Sequence, residues 1–305
     1  MVAEDCARNG RAIPHIGRRQ ALALLAAFAL PSTSRASPPR RIAAIDWAML
    51  ETLIALGVMP IAATELVQFR KDAVEPEIDA AVADIGLRGT PNFELLHLLK
   101  PELILTSPFY ARHEATLRSI APVLSCRFYV AGEPPYQKAL DAVSALAREL
   151  DLQDKATQVL AQQARLTEEA SSSLKPFASR PTYLVNVGDA RHVRVFGADS
   201  MFGDVLERLG MQNAWSGRSR YTFAAPVPLE NLAAEPDARI VIISDVPVEA
   251  RQALKNSIIW RSLDPVRAGR VLMLDNINPY GGITAATRFM QLLNTAMLAS
   301  PGEQR

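Results

Sequence analysis

The side chains that most often carry catalysis or bind metal ions are few in this chain and widely separated. Three histidines, His97, His113 and His192, follow the N-terminal segment, and they are scattered without the spacing of metal ligands. Cys126 is the only cysteine left once the first 36 residues are removed, so it has no partner for an intrachain disulfide. We interpret these residues as structural or surface groups and expect no metal site.

The sequence motifs that mark common enzyme classes are also missing. There is no Gly-x-Ser-x-Gly, no phosphate-binding Gly-x-x-x-x-Gly-Lys-Ser/Thr and no Gly-x-Gly-x-x-Gly. The adjacent carboxylates Glu168 and Glu169 lie in a long helical segment and are typical of a solvated helix face. The sequence therefore favours a protein that is not an enzyme, with no catalytic residues and no cofactor.

Two glutamates occupy corresponding places in a weak internal repeat. Glu94 opens a helix in 91–105 and Glu230 opens one in 227–242, and in each passage a proline-acid step leads into an apolar strand. An acid in the first turn of a helix is stabilised by the helix dipole, which explains either residue alone. The alternative is that the pair docks on arginines of a two-fold-symmetric partner.

The charge balance argues against a nucleic-acid partner. Removing residues 1–36 takes away five basic and two acidic side chains and leaves 28 basic and 30 acidic ones, a net charge of −2. The chain contains no basic block, aromatic platform or zinc-finger spacing. We therefore expect no contact with DNA or RNA.

The first 36 residues have the layout of an export signal. Arg18 and Arg19 precede an apolar run of ten residues, Ala21–Leu30, and small residues follow as far as Ala36. A membrane span needs about 20 apolar residues, so we expect cleavage after Ala36 and no stable membrane insertion. The paired arginines indicate the twin-arginine route, and an ordinary Sec signal is the alternative. No cysteine directly follows the run, which predicts a soluble periplasmic protein without a lipid anchor.

Beyond the signal, short apolar strands alternate with amphipathic helices, which is typical of α/β architecture. Helices are predicted at Trp47–Leu56, closed by Gly57, and at Met201–Leu209, before Gly210. The pattern predicts a mostly parallel sheet in the first half and a second α/β set after Pro181. The predicted strands are Arg41–Ile45, Pro60–Ala63, Val82–Ile85 and Leu103–Leu105, then Thr182–Val187, Val193–Phe196, Ile240–Ser244 and Val271–Leu274.

A long helical segment separates the two halves. Residues 140–175 contain neither glycine nor proline and are rich in helix formers. After a break at Asp151–Asp154, a helix from Gln153 to about Ser172 would reach roughly 30 Å. We interpret it as a stiff connection between two lobes, and the alternative is a surface helix of one domain. The predicted limits are 1–36 for the signal, 37–150 for the N-terminal lobe, 151–175 for the connecting helix and 176–305 for the C-terminal lobe.

Several short passages carry a family resemblance over essentially the whole chain. They are Ile85–Leu96, Ile120–Pro122, Arg191-His192 with Val195–Gly197, Asn213–Trp215, Val266–Arg270 and Tyr280-Gly281. With them the chain resembles the periplasmic ferric-hydroxamate-binding proteins, the helical-backbone solute-binding proteins that feed ABC importers. The resemblance implies two Rossmann-like α/β lobes joined by one long helix, with a shallow ligand cleft between them and slight closure. It also implies a monomer that carries a ferric siderophore to an inner-membrane ABC permease.

The resemblance assigns roles to individual residues. It places the hydroxamate-gripping arginine at Arg88 and its tyrosine partner at Tyr110. For delivery to a permease, the repeated acids Glu94 and Glu230 are the expected docking contacts. An iron saturated by six siderophore oxygens needs hydrogen-bond donors and apolar walls from the protein rather than metal ligands. The remaining candidate ligand contacts are the aromatic residues Trp47, Tyr221, Phe223 and Tyr280 and the charged rim residues Glu65, Arg194 and Arg220.

The chain departs from the family where tryptophans are expected in the cleft wall. Those positions are here Asp72, Thr106, Thr222 and Asn278, which predicts a more polar cleft. The expected cargo is therefore either a ferric hydroxamate or a ferric citrate-hydroxamate. A catecholate siderophore, haem or cobalamin is the alternative ligand, and a periplasmic siderophore hydrolase or reductase is the alternative function. Three basic residues, Arg88, Arg194 and Arg220, would attract an anionic ferric catecholate, so this ligand stays an alternative.

Overall fold

Two five-stranded sheets organise the part of the chain that the computed structural model describes, residues 40–189, 191–217 and 226–300. The predicted signal at 1–36 lies outside these described residues. So do Arg220, Tyr221, Thr222 and Phe223 of the predicted cleft. The two sheets with their helices confirm the predicted α/β class.

The strands and helices have the following limits. The strands are β1 Ile42–Ala44, β2 Ala62–Ala63, β3 Ala83–Asp84, β4 Gly86–Leu87, β5 Thr90–Pro91, β6 Leu103–Thr106, β7 Val123–Ser125, β8 Thr182–Val187, β9 His192–Val195, β10 Val227–Pro228, β11 Arg239–Ile243 and β12 Val271–Leu274. The α-helices are α1 Trp47–Ala55, α2 Leu66–Asp72, α3 Phe93–Leu98, α4 Glu114–Ile120, α5 Tyr136–Leu150, α6 Gln153–Leu174, α7 Met201–Arg208, α8 Val248–Asn256, α9 Ile258–Ser262, α10 Asp264–Arg267 and α11 Ile283–Leu298. Short 3-10 helices cover Pro108–His113, Lys175–Phe177 and Leu229–Ala234.

The first sheet has the order β3-β2-β1-β6-β7, and every neighbouring pair in it is parallel. Ala43 at its centre lies opposite Ala62 on one side and Ile104 on the other. All residues of β1, β2 and β6 are buried, as expected when helices cover both faces of a parallel sheet. The carboxyl ends of these strands therefore meet at one edge, where ligands bind in sheets of this kind.

The second sheet is mixed rather than mostly parallel. Its order is β10-β9-β8-β11-β12, with β11 parallel to β8 and β12, while β9 is antiparallel to both of its neighbours. The sequence pattern did not predict this antiparallel edge. The link from β8 to β9 spans only residues 188–191, which is too short for the crossover that parallel strands require.

The long helix α6 has 22 residues, or about 33 Å at 1.5 Å per residue. It starts at Gln153, just after Asp151 adopts a left-handed conformation with φ 57°, and it ends two residues beyond the predicted Ser172. It packs on α5 before it and on α11 near the C-terminus. Among the described helices, none combines the length and the apolar content that a bilayer-spanning segment requires.

One apolar cluster reaches across both halves of the described chain. It includes Leu105 of β6, Leu53 of α1, Val241 of β11 and Phe289 of α11. The C-terminal helix α11 contacts α1 and α5 as well as α7 and β12, so it joins the two sheets. A large hinge opening would expose this shared core to water, which fits the slight closure that the resemblance implies. The domain limits at residues 150 and 175 stay a prediction.

Candidate functional site

Arg88 lies at the tip of a two-residue β-hairpin formed by β4 and β5, in which Gly86 pairs with Pro91 and Leu87 with Thr90. Gly86 has a φ of 82°, a left-handed conformation that favours glycine. Residue Arg88 bonds to Glu65 twice. Its Nε donates to Oε2 at 2.6 Å and its backbone N–H donates to Oε1 at 3.1 Å. The guanidinium is thereby fixed in position before any ligand arrives.

Trp47 supports the other side of the Arg88 guanidinium. The guanidinium carbon lies 3.6 Å from the centre of the indole ring, a cation–π contact. The indole N–H donates to the Thr64 carbonyl at 3.0 Å, and the ring meets Phe69 edge-on at 5.1 Å between centroids. Trp47 is only 2% exposed, so it lies behind Arg88 rather than on the open wall of the cleft.

Glu65 is free to bond Arg88 because another carboxylate caps its helix. Glu65 stands at the N-cap position of α2 with a φ of 50°, and its side chain makes no capping bond. Asp84 serves instead, since one of its oxygens accepts from the Leu66 N–H at 2.9 Å and the other from Gly86. The Glu65 side chain is 17% exposed and that of Arg88 is 23% exposed, so the pair lies half-buried at the surface.

Asp46 and Tyr110 are electrostatic neighbours of Arg88. The Asp46 carboxylate caps α1 by accepting from the Met49 N–H, and it accepts from the Ser107 hydroxyl at 2.7 Å. Burial raises the pKa of Asp46, and its hydrogen bonds oppose that shift. Burial raises the pKa of Tyr110 as well, the negative charge of Asp46 adds to this, and Arg88 opposes it. The phenol of Tyr110 therefore keeps its proton and remains a hydrogen-bond donor.

Tyr129 and Tyr280 extend the site toward the second half of the chain. The two rings meet edge-on with centroids 6.3 Å apart, and the Tyr129 hydroxyl donates to the Gly281 carbonyl at 2.5 Å. Tyr280 is 39% exposed, which leaves one part of its ring accessible. Burial raises the pKa of Tyr129, and the charges of Glu51 and Asp46 add to that rise. The charge of Asp46 therefore acts on both Tyr110 and Tyr129.

Glu51 is fully buried and links α1 to the start of α11. Its carboxylate accepts from the Asn278 side chain at 2.7 Å, from the Gly282 N–H at 2.7 Å and from the Ala285 N–H at 3.2 Å. A Cβ at Gly281 would lie 2.6 Å from both carboxylate oxygens, so only glycine fits there. Burial raises the pKa of Glu51 from 4.5 to about 7, and these hydrogen bonds oppose the rise.

The raised pKa of Glu51 predicts a pH-dependent stability. The folded protein holds this proton to a higher pH than the unfolded chain, so the contribution of Glu51 to the free energy of unfolding is full below the unfolded pKa of 4.5 and is lost as the pH rises through about 7. Urea unfolding between about pH 5 and pH 8 measures this slope. The Glu51→Gln variant does not titrate, so its slope should be smaller, and equal slopes would contradict the assignment.

The structure places two predicted cleft positions, Asn278 and Thr106, in the interior. Asn278 is 1% exposed and bonds to Glu51, so it is part of the link to α11 and not of the cleft wall. Thr106 is 3% exposed, and its hydroxyl has no hydrogen-bond partner among the described residues. Asp72 lies at the end of α2 and accepts from Gln68 at 2.7 Å. Arg194 lies exposed on β9 of the second sheet, outside the contacts of Arg88.

Sequence reasoning missed Asp46, Glu51 and two exposed apolar residues next to the site. Leu87 precedes Arg88 in the hairpin and is 62% exposed, and Phe109 is 80% exposed with its ring edge-on to Tyr110. Leu87 lies inside the passage Ile85–Leu96 that carries the family resemblance, and Phe109 directly precedes Tyr110, so their positions were a usable signal. Leu87 and Phe109 give the site an exposed apolar surface, which the buried ring of Trp47 cannot provide.

The two repeated glutamates are both exposed in first turns. Glu94 lies in the first turn of α3, and Glu230 lies in that of the 3-10 helix Leu229–Ala234. His113 approaches the Gly89 carbonyl with its Nε2 at 2.9 Å, and His192 pairs with Asp189. Within residues 40–189, 191–217 and 226–300, no three His, Cys, Asp or Glu side chains are grouped so as to hold a metal ion.

The comparisons with known proteins agree over nearly the whole chain. A family model described as periplasmic binding protein matches residues 42–277. The iron(3+)-hydroxamate-binding protein FhuD of Escherichia coli (strain K12) is 31% identical over 294 residues, 93% of this chain and 98% of that protein. The achromobactin-binding periplasmic protein of Dickeya dadantii (strain 3937) is 27% identical, covering 83% and 84% of the two chains. The solved structure of the Fe3+–Desferal-bound siderophore binding protein FhuD from Vibrio cholerae matches with a TM-score of 0.79 and 26% identity, over 86% of this chain and 99% of that one.

Proposed function

The chain belongs to the periplasmic binding protein family, and from this premise we propose that it captures a ferric siderophore of the hydroxamate or citrate-hydroxamate type. It then delivers this cargo to an inner-membrane ABC importer for iron uptake. The family is one of binding proteins, so the chain is a binding protein and not an enzyme. The fixed Arg88 guanidinium at an open surface is the observation that carries the proposal.

The cargo brings its own metal ligands. In a ferric tris-hydroxamate, three hydroxamate anions supply six oxygens and cancel the charge of the iron, so the complex is neutral overall. Such a complex needs hydrogen-bond donors that reach the coordinating oxygens and apolar surface for its organic scaffold. The iron is substrate here, and the protein supplies no ligand to it.

Arg88 and Tyr110 supply the donors. Glu65 occupies Nε of Arg88, so the terminal nitrogens of the guanidinium are left to face the Tyr110 hydroxyl and, as proposed, the hydroxamate oxygens. Tyr110 keeps its proton and adds a phenolic O–H. Because Trp47 and Glu65 already hold Arg88, little side-chain freedom is lost on binding.

Apolar and aromatic groups supply the walls. Leu87 and Phe109 flank the donors from the first half, and the partly exposed ring of Tyr280 is the proposed wall group from the second half. Tyr221 and Phe223, with Arg220 and Arg194 at the rim, complete the proposed wall by the family resemblance. Of the polar positions predicted for the wall, the partly exposed Asp72 is consistent with a cargo more hydrophilic than an all-apolar wall would take, whereas Thr106 is buried.

Delivery requires a partner that recognises both halves, and Glu94 and Glu230 are the proposed contacts. Both are exposed, as a docking carboxylate must be. Charge reversal of both, Glu94→Arg with Glu230→Arg, should lower uptake of iron into cells about tenfold or more, because each arginine would face a cationic permease surface. Chelate affinity measured on the purified variant should stay unchanged. A variant that transports normally would remove the two residues from the docking surface.

The function as a whole is tested by iron uptake. Cells that lack the protein and cells that carry it on a plasmid are given radioactive iron as hydroxamate, citrate-hydroxamate, catecholate or haem. Uptake from one hydroxamate-containing chelate that disappears without the protein and returns with the plasmid is the expected result. Uptake that never depends on the protein, or dependence only on haem, would overturn the proposal. The proposed state of the protein in this assay is a soluble periplasmic monomer, released by cleavage of its signal.

A further inference from the structure

The positive charge of Arg88 is paired with the negative charge of Glu65. The Arg88 Nε lies 2.6 Å from the Glu65 carboxylate, and the second carboxylate oxygen accepts from the Arg88 backbone N–H at 3.1 Å. The pair is half-buried, with side-chain exposures of 23% for Arg88 and 17% for Glu65. At this depth the two charges are screened from each other less than a surface pair would be.

The fold builds Glu65 into this position. It begins α2 with a left-handed φ of 50°, and its backbone N–H donates to the Gly86 carbonyl at the base of the Arg88 hairpin, at 2.8 Å. Asp84 takes over the capping of α2, which a residue in the place of Glu65 would ordinarily perform. Among the described contacts, the Glu65 carboxylate therefore accepts hydrogen bonds from Arg88 alone.

The negative charge of Glu65 affects which chelates the site accepts. Arg88 can offer hydrogen bonds to any oxygen-rich chelate, but the adjacent carboxylate cancels its attraction for anions. The buried carboxylate of Asp46 acts electrostatically on Tyr110, so a second acid adds negative charge near the same donors. Arg112 contacts the hairpin at the Gly89 carbonyl and is the neighbouring cation. A neutral ferric tris-hydroxamate loses nothing from this arrangement, whereas a ferric tris-catecholate with three negative charges does.

We propose that Glu65 is a specificity-determining residue, which selects ferric chelates without net negative charge by pairing with Arg88. The inference rests on the proposed function, since it concerns the same site, and it narrows the proposed cargo to the neutral tris-hydroxamates, because the carboxylates of a citrate-hydroxamate leave its ferric complex negatively charged. It also separates two properties of the site: Arg88 supplies the affinity for coordinating oxygens, and Glu65 sets the charge of the chelate that is accepted.

The test compares Glu65→Gln with the wild-type protein. The amide oxygen of glutamine can still accept from Nε of Arg88, although its NH2 group cannot accept from the Arg88 backbone N–H. The variant therefore keeps the side-chain bond while one negative charge is removed. Each protein is titrated with a neutral ferric tris-hydroxamate, with ferric citrate and with a ferric tris-catecholate, at low and at high salt. We expect affinity for the anionic chelates to rise at least about tenfold relative to the neutral one, and the gain to shrink as salt screens the charges.

Two further variants isolate the position and the charge. Glu65→Asp keeps the charge on a shorter side chain, so it should retain the preference for neutral chelates even where its overall affinity falls. Glu168→Gln removes the same charge from an exposed site on α6 and should leave the preference unchanged. A wild-type preference for anionic chelates, or an unchanged preference in Glu65→Gln, would overturn the inference while leaving chelate binding intact. A wild-type protein that binds none of the three chelates would overturn the proposed function itself.

Discussion

Replacing Arg88 with alanine is expected to lower the affinity for the ferric chelate by about 100-fold or more, or about 2.7 kcal/mol. The change removes the guanidinium donors, and it also leaves the Glu65 carboxylate without its partner at the place where the negative hydroxamate oxygens should lie. Isothermal titration calorimetry with a ferric tris-hydroxamate measures the loss. The thermal unfolding midpoint should change little, because the Arg88–Glu65 pair is only half-buried.

The Arg88→Lys variant distinguishes charge from geometry. Lysine keeps the positive charge, but it cannot bond Glu65 with one nitrogen and present a planar fork with two others. Its affinity should therefore fall between those of the wild-type protein and Arg88→Ala. An Arg88→Ala variant that binds within about threefold of the wild type would exclude Arg88 from the site.

Replacing Glu51 with alanine should have the largest effect on stability, a loss of about 3–5 kcal/mol in the free energy of unfolding. Three hydrogen-bond donors, on Asn278, Gly282 and Ala285, would lose their acceptor at a site closed to water. Two of them are backbone N–H groups around the start of α11, so the junction between α1 and α11 should loosen. Urea unfolding measured near pH 6 reports the change.

Two comparisons interpret the Glu51→Ala result. Glu51→Gln keeps the volume and one acceptor oxygen, so its loss should be smaller. Glu168→Ala on the exposed face of α6 should change stability by no more than about 0.5 kcal/mol. A loss below about 1 kcal/mol for Glu51→Ala would show that water or a rearranged Asn278 replaces the carboxylate, and that the junction does not depend on it.

Most of the fold could be predicted from patterns along the chain. Buried parallel strands such as Leu103–Thr106 appear as short apolar runs, and the α6 helix appears as a long stretch without glycine or proline. The strand β7, Val123–Ser125, was missed because it is short, only partly buried and ends in a polar residue. The antiparallel edge of the second sheet was missed because apolar runs alone do not show strand direction, although the short link at 188–191 does.

The site could be predicted only in part. The resemblance proposed Arg88, Tyr110, Trp47 and Glu65, and the first half of the fold does bring these four together. Their arrangement could not be foreseen, since the φ of 50° at Glu65 and the stacking of Trp47 beneath Arg88 are set by tertiary packing. The roles of these residues in binding remain predictions.

Glu51 shows a different limit of sequence reasoning. A single carboxylate inside the otherwise apolar stretch 47–56 is a visible signal, because burying it requires hydrogen-bond partners. Those partners lie more than 200 residues away, at Asn278 and Gly282. A pattern within one helix therefore indicates that partners exist, but it does not identify them.

The most direct measurement is a fluorescence titration of the mature protein with one ferric tris-hydroxamate and with the same ligand free of iron. Trp47 is a built-in reporter, because its ring lies 3.6 Å from the Arg88 guanidinium that the chelate should contact. Saturable quenching by the iron complex at one ligand per protein, absent with the iron-free ligand, is the predicted result. No saturable response to the iron complex, or an equal response to the iron-free ligand, would contradict the binding of a ferric siderophore at this site.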